Sequence, residues 1–340
     1  MSADLHSTAA RRKLILMGAG ASNLQIAGLL FRKKIPNLEI TCIANEEHVL
    51  PPSALPGVLA GRYSFASACI PVQKVLERLD VLWVQDKVKA IHAQHKSLQL
   101  QEGHTIDFDW LSINATPHQH RDHIEKLVPG AKKYGFFVYP MELFAKHWHQ
   151  VCCEGNTNAL RITVIGGGLH GMEIALAVML RQPQAAVTLV TQTALDPNTS
   201  DDEQTKPAKI RLLQALKDQR VTVLHDVALA CNATYVKLGC GARLASNISI
   251  IAIEPRTPAW LFDNHENIFF CPVDSMEHAD KICSSVSGIN ESKGFLTCRK
   301  LQTYFSGTSF GIAQWGRLTF QGRMVGWLKY FNDRKITRLI

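Results

Sequence analysis

The chain has 340 residues, 46% of them hydrophobic and 19% charged, a balance that supports sizeable cores and excludes a globally disordered chain. Its length suits about two domains of roughly 150 residues each. The formal net charge of +8 draws anions in general, cofactors included, and by itself points to no nucleic-acid partner.

The opening "MSADLHSTAARRK" has no apolar run before its basic pair, so no secretory leader is expected there. The first predicted strand, "KLILMG" from Lys13, leads into a helix from about Ser22 to Lys33; after a turn holding Pro36 comes the strand "LEITCIA". "PPSALPGVLAGRYSF" follows, a run whose prolines and glycines enforce a shaped loop. A helix is predicted around Pro71 to Leu79, then a short strand, a hairpin pair and a closing apolar strand ending in "LSINAT". Residues 117–158 read polar and helical by turns, a crossover into a second unit.

That unit starts at Arg161 with "RITVIGGGLHGMEIALAV", which reads as a strand, a glycine turn and a helix. The strand "AAVTLVTQ", the helix "AKIRLLQALKDQ" and the strands "VTVLHD", "ATYVKLG" and "NISIIAIE" continue it. The order of elements from Arg161 to Glu254 repeats that from Lys13 to Ala115, so the chain carries an internal duplication. The fold class expected is α/β with two Rossmann-like dinucleotide-binding domains.

Each unit has a glycine turn of the kind that lays a dinucleotide diphosphate on a helix N-terminus, where free N–H groups and the helix dipole favour anions. In the second turn Gly166 allows the bend, Gly168 the approach of the diphosphate, and Gly171 close packing of helix on strand. The first has Gly18 and Gly20 but Asn23 in third place, a side chain where the helix lies closest to the sheet. A residue ending the second strand grips a ribose hydroxyl in such folds, and the candidates here are Asn45, Glu46 and Glu47. The matching place in the second unit, Thr191-Gln192, has neither an acid nor an arginine.

On "GAGASNLQ", "LPGVLAGRYSF", "IPVQKVLERLDVLWVQDKVKAI", "LSINATP", "VIGGGLHGMEIALAV", "PAWL" and "GRLTFQGRMVGWLKYFNDRK", the chain resembles the pyridine nucleotide-disulfide oxidoreductase-like flavoproteins. It is close to type II NADH dehydrogenases and sulfide:quinone oxidoreductases, and closest to the flavoprotein module associated with selenide water dikinase. The resemblance implies an FAD domain at 13–116 and 252–310, an inserted NAD(P)H domain at 117–251, and a C-terminal hairpin and helix at 311–340. It implies hydride transfer from NAD(P)H to FAD and on to a quinone or a sulfur or selenium acceptor. By position it places Gly18, Gly20, Ala21 and Asn23 on the FAD diphosphate, Pro56 and Gly57 near the flavin, and Ala115 and Thr116 at the crossover. Gly166, Gly168, Gly171 and Glu173 fall in the NAD(P)H site. The family's A-T-G is replaced by "AIEP" at Ala252–Pro255, and Asp274 is the nearest substitute for the aspartate of its G-D-x-A turn. The alternative reading is a non-catalytic member that keeps the fold as a binding or regulatory module.

Nine cysteines without a C-x-x-C pair argue for reduced thiols of the cytoplasm and against a zinc site or a disulfide framework. Cys69, Cys271, Cys283 and Cys298 are loose candidates for a sulfur-transfer thiol, with core packing the commoner role. "HQHRDH" at His118–His123 lacks a carboxylate or cysteine partner at ligand spacing, and no metal is expected. The ending sets Met324, Leu328 and Phe331 at helical spacing among basic residues; this stripe is expected to dock on the first domain, with an anionic membrane surface as its alternative partner. The protein is then cytoplasmic, or peripheral to the inner face of a membrane.

Overall fold

The computed structural model describes residues 11–114, 121–153, 160–192, 206–253, 266–270, 282–286, 301–307, 311–315 and 318–339. A front parallel sheet is built from Arg12–Met17, Leu38–Ile43, Leu82–Val84, Trp110–Ile113 and Ile268–Phe270, with Arg12–Met17 at its centre. Its last strand comes from beyond the second unit, so the chain leaves the front sheet after residue 113, builds a second one, and returns at 268. The back sheet holds Gly135–Phe137, Ile248–Ile251, Arg161–Ile165, Ala186–Thr191 and Thr222–His225, again all parallel. This is the expected α/β architecture of two Rossmann-like units, the second inserted into the first.

The duplication extends to the connections. Each unit carries a three-stranded antiparallel meander, Val88–His92, Ser97–Leu100 and Thr105–Asp107 in front, Ala228–Cys231, Tyr235–Leu238 and Arg243–Ala245 behind. Strand alternation sorts the front core: Leu14 and Leu16 face the cluster holding Leu24 and Leu30 of the helix Ala21–Lys33, while Ile15 joins Leu98, Leu100 and Phe108 of the meander on the other side. Where one hairpin was expected at the C-terminus there is a three-stranded sheet, Leu301–Phe305, Gly311–Trp315 and Leu318–Gly322, backed by the helix Arg323–Leu339.

Between the units lies a shared core. Leu55 and Leu59, on the short helix Leu55–Leu59 of the "LPG" segment, pack with Phe144 and Trp148 of the helix Met141–Cys153 and with Met172 and Leu176 of the helix Leu169–Arg181. Two hydrogen bonds pin the segment: Leu50 N–H donates to Glu142 Oε1 at 2.8 Å and Trp148 Nε1–H donates to Leu59 O at 3.0 Å.

The C-terminal helix docks on a different face from the one its apolar spacing suggests. A Cβ on Gly311 would stand 2.7 Å from Gly326 N, so the helix lies directly on the backbone of the strand Gly311–Trp315. One turn on, Lys329 is 4% exposed and its Nζ donates to Ser53 O at 2.9 Å. Met324, Trp327 and Phe331 face outward, 86%, 63% and 46% exposed. The expectation that Met324, Leu328 and Phe331 form the docking stripe is corrected: close backbone approach at glycine and a lysine reaching a carbonyl seat the helix.

Asn23 is the second local surprise. It is fully buried, its Nδ2 donates to Met17 O at 3.1 Å and Gly18 O at 2.8 Å, and its Oδ1 accepts from Ser112 Oγ at 2.6 Å. The amide ties helix start, glycine turn and neighbouring strand together where a third glycine would merely let them touch. Asn23→Ala removes these hydrogen bonds from a fully buried site and is expected to lower stability by about 2 kcal/mol. Urea midpoints of the two proteins measure this; equal midpoints would remove the role assigned to Asn23.

Candidate functional site

Both glycine turns end in helix starts fit for an anion. The helix Ala21–Lys33 begins after Gly20 and the helix Leu169–Arg181 after Gly168, each N-cap extended (φ −62°, ψ 161° and φ −67°, ψ 169°) and without a side-chain cap. Neither has an acidic residue in its first turn. The first N–H groups of such helices have no intrahelical acceptor, and with no competing side chain they suit the oxygens of a diphosphate.

The back turn is close-packed as its glycines require. Gly166 sits at φ +142°, where a Cβ would collide with the Ala252 carbonyl, and a Cβ on Gly171 would strike the Gly166 carbonyl. Glu173 is buried in the same helix and its Oε1 accepts from Phe305 N–H at 2.6 Å, fastening the C-terminal sheet to the back unit. In front, Gly18 has φ +90° and donates to Ile43 O at 2.8 Å. The open face of Gly20 meets the side chain of Asn114, which a Cβ there would hit. Asn45 is exposed and Glu46 half-buried just past the strand Leu38–Ile43. Pro56 and Gly57 are buried in the shared core, apart from the core behind the front turn. Ala115, Thr116 and Asp274 lie outside the described residues, as do His118, His120, Cys271 and Cys298.

At the seam, Gly57 faces Tyr63, whose ring a Cβ on the glycine would strike. Tyr63 in turn contacts Tyr330 of the C-terminal helix, with ring centroids 5.8 Å apart. Arg62 lies over the Phe305 ring at 4.5 Å. Gly57, Tyr63, Lys329 and Tyr330 border a cavity of about 10 Å³, room for one water. Outside it an open hollow of about 680 Å³ is lined by Arg62, Arg323, Met324, Gly326, Trp327 and Tyr330. The helix starts therefore fit the diphosphates of two dinucleotides, whereas Tyr63 covers the glycine that the resemblance sets beside a flavin.

His170 is a candidate that no sequence motif singles out. It occupies the second position of the back helix, its ring 6.1 Å from that of Tyr139 and its Nε2 buried without a hydrogen-bond partner among the described residues. Only its place inside the glycine turn marked it, and a histidine at such a place has no fixed meaning.

The thiols offer little chemistry. Burial pushes Cys42 and Cys69 up to about 12, so both stay protonated at neutral pH and neither is a ready nucleophile. Cys283 is buried. Among the described residues no group of three His, Cys, Asp or Glu could hold a metal ion, and no helix is long and apolar enough to cross a membrane.

No family model matches the chain. Sulfide-quinone reductase of Aquifex aeolicus (strain VF5) is 25% identical over 121 residues, a stretch that spans 36% of this chain and 26% of that relative. Solved structures match over far more. Sulfide:quinone oxidoreductase from Aquifex aeolicus superposes with a TM-score of 0.76 at 15% identity, covering 96% of this chain and 92% of that one. NDH2 from Plasmodium falciparum in complex with NADH gives 0.68 at 12% identity and covers 97% of each chain. A NAD-dependent persulfide reductase from A. fulgidus gives 0.64 at 16% identity, covering 88% of this chain and 63% of that one. The chain has the fold of these pyridine nucleotide oxidoreductases. The resemblance carried by the sequence motifs thus holds at the level of the fold.

Burial, and after it the nearby Lys329 ammonium, holds the His170 imidazole down at about 4, against an ordinary 6.5. Between those values the unfolded chain binds a proton that the folded chain refuses. The stability contribution of neutral His170 is complete above the unfolded value and is lost as the pH falls toward the folded one. His170→Gln is expected to spare the protein on the order of 2 kcal/mol of that acid loss. Chemical unfolding of both proteins across this range reads it; parallel loss in the two would count against a neutral, buried His170.

Proposed function

We propose that the chain is an FAD-dependent NAD(P)H oxidoreductase. On this reading FAD belongs to residues 13–116 and 252–310, NAD(P)H to 117–251, and residues 311–340 close the seam between them. The observation that carries it is the pair of uncapped, acid-free helix starts, each behind a glycine turn, in a fold shared with an NADH complex of NDH2 and with a sulfide:quinone oxidoreductase.

The residues divide the work by position. Main-chain N–H groups from Ala21 to Asn23 hold the FAD diphosphate over Gly18 and Gly20, Asn45 or Glu46 takes the ribose, and Pro56 and Gly57 border the ring. Gly166, Gly168 and Gly171 shape the turn that holds the second diphosphate, and Glu173 anchors the strand that closes the back unit. A bound flavin itself accepts hydride, so the protein's part is to position and to exclude water, and no catalytic triad is required. The buried Lys329 sets a positive charge at the seam.

The acceptor is a quinone or a sulfur or selenium species. Met324, Trp327 and Phe331 are exposed on the C-terminal helix, Trp327 and Phe331 with ring centroids 4.4 Å apart, and Met324 and Trp327 line the 680 Å³ hollow; Trp315, Leu318 and Phe320 are exposed on the C-terminal sheet. Apolar side chains rimmed by arginine suit an anionic bilayer surface and favour a lipid-soluble acceptor. Trp327→Ser with Phe331→Ser is expected to weaken co-sedimentation with vesicles containing anionic lipid about tenfold. Equal sedimentation of variant and wild type would remove the membrane contact.

One observation favours the non-catalytic alternative: Tyr63 stands on Gly57 and Asn114 on Gly20, where a ring and a phosphate would lie. The visible spectrum decides between the two. The enzyme reading expects flavin bands, as purified or after incubation with FAD, that bleach when NADH is added under argon. A protein that stays colourless after incubation with FAD is the binding module.

A further inference from the structure

We propose that the open hollow at the seam binds an amphiphilic phosphate, a phosphate monoester carried on a hydrocarbon tail, with Arg62 and Arg323 on the phosphate and Met324, Trp327 and Phe331 along the tail. The site needs no bound dinucleotide and so stands apart from the redox reading. It rests on the membrane contact proposed above and deepens it by naming a headgroup.

The hollow measures about 680 Å³, a size that takes a small molecule. Two elements remote in sequence supply its cations: Arg62 follows the helix Leu55–Leu59, and Arg323 opens the helix Arg323–Leu339. Among the described residues neither guanidinium has an ion pair or a side-chain hydrogen bond. Arg62 is half-buried and lies over the Phe305 ring at 4.5 Å. Burial works against its charge, and a guanidinium so placed is best held by the oxygens of an anion. The first turn of the C-terminal helix supplies Arg323, Met324 and Gly326 to the same wall and has no acidic residue. The positive end of the helix dipole therefore adds to the field of the two arginines.

The lining selects the ligand. One carboxylate satisfies one guanidinium fork, whereas a phosphate monoester carries nearly two charges at neutral pH and three acceptor oxygens, enough for two forks. A bare phosphate would leave the apolar wall wet: Met324 is 86% and Trp327 63% exposed. Phe331 lies one turn beyond Trp327 on the same helix face, their ring centroids 4.4 Å apart. Together they extend the wall out of the hollow as a track for a hydrocarbon chain. A neutral lipid would cover the track and leave both arginines unmet.

The test uses the full chain and three soluble probes: dihexanoyl phosphatidate, dihexanoyl phosphatidylcholine and glycerol 3-phosphate, the lipids held below their micellar concentrations. Calorimetry gives dissociation constants for wild type, Arg62→Gln, Arg323→Gln and Trp327→Ser. Wild type is expected to bind phosphatidate at least about tenfold more tightly than either other probe, with about tenfold loss in each arginine variant and about fivefold in Trp327→Ser. Phosphatidylcholine bound within twofold of phosphatidate would overturn the phosphate site. Glycerol 3-phosphate bound as well as phosphatidate would overturn the tail and leave a free phosphate as the ligand. Constants unchanged in both arginine variants, or no binding of phosphatidate by wild type, would overturn the proposal whole. Co-sedimentation of wild type with anionic vesicles that persists beside any of these results leaves the membrane contact standing without a headgroup site. Should Arg62→Gln not fold, Arg323→Gln, at an exposed position, still decides.

Discussion

The constraint on which the arrangement depends is the burial of the "LPG" segment in a core that belongs to the other unit. Leu55 and Leu59 leave the front sheet's own chain and fill space among Phe144, Trp148, Met172 and Leu176. Truncating one such leucine to alanine costs roughly 2–5 kcal/mol in other proteins, so separating the units here would cost several times that. Leu50 N–H on Glu142 and Trp148 Nε1–H on Leu59 O add direction to an otherwise non-directional contact. With the segment fixed, Ser53, Pro56 and Gly57 hold a set position against the back helix, and Lys329 needs only one hydrogen bond to tie a third element to it.

The two units solve one packing problem in different ways. Behind, Gly171 lets the helix sit on the Gly166 carbonyl with no atom between them. In front, Asn23 stands in that place and replaces contact by hydrogen bonds to Met17, Gly18 and Ser112. The amide holds the helix start through these hydrogen bonds, and its side chain is buried, leaving the helix's leading N–H groups for a ligand. A missing third glycine therefore weakens the sequence pattern without removing the anion site. Asn114 sets its amide oxygen over Gly20 where the matching residue of the back unit is Ala252, so a phosphate over Gly20 requires that amide to turn or move.

Periodicity and glycine spacing made the sheets legible: the parallel cores, both glycine turns and the internal repeat follow from short-range patterns that burial enforces. The third strand of each meander and of the C-terminal sheet was harder to read, because half-exposed edges such as Leu318–Gly322 carry little alternation. The docking of the C-terminal helix was misread for a physical reason. An apolar stripe at helical spacing looks like a buried face, but here Gly326 and Lys329 are inside and Trp327 outside. A close glycine contact and a lysine reaching a carbonyl leave no hydrophobic signature. His170 was illegible for a related reason: its burial without a hydrogen-bond partner among the described residues exists only after the elements have met.

Magnitudes bear on whether Tyr63 closes the seam for good. Its ring contact with Tyr330 is a tilted aromatic pair at 5.8 Å, worth about 0.5–1.5 kcal/mol, and the residue is only partly buried. A ligand ring burying on the order of 150–200 Å² of apolar surface over Gly57 would gain about 4–5 kcal/mol. That exceeds the pair it displaces even after the tyrosine re-exposes part of its face. Tyr63 borders the small cavity and also packs against the core that holds Leu55 and Leu59, so moving it gives up that packing besides the aromatic pair. Ring binding over Gly57 therefore requires Tyr63 to give up its packing on the core, while the buried Leu55 and Leu59 beneath it keep theirs.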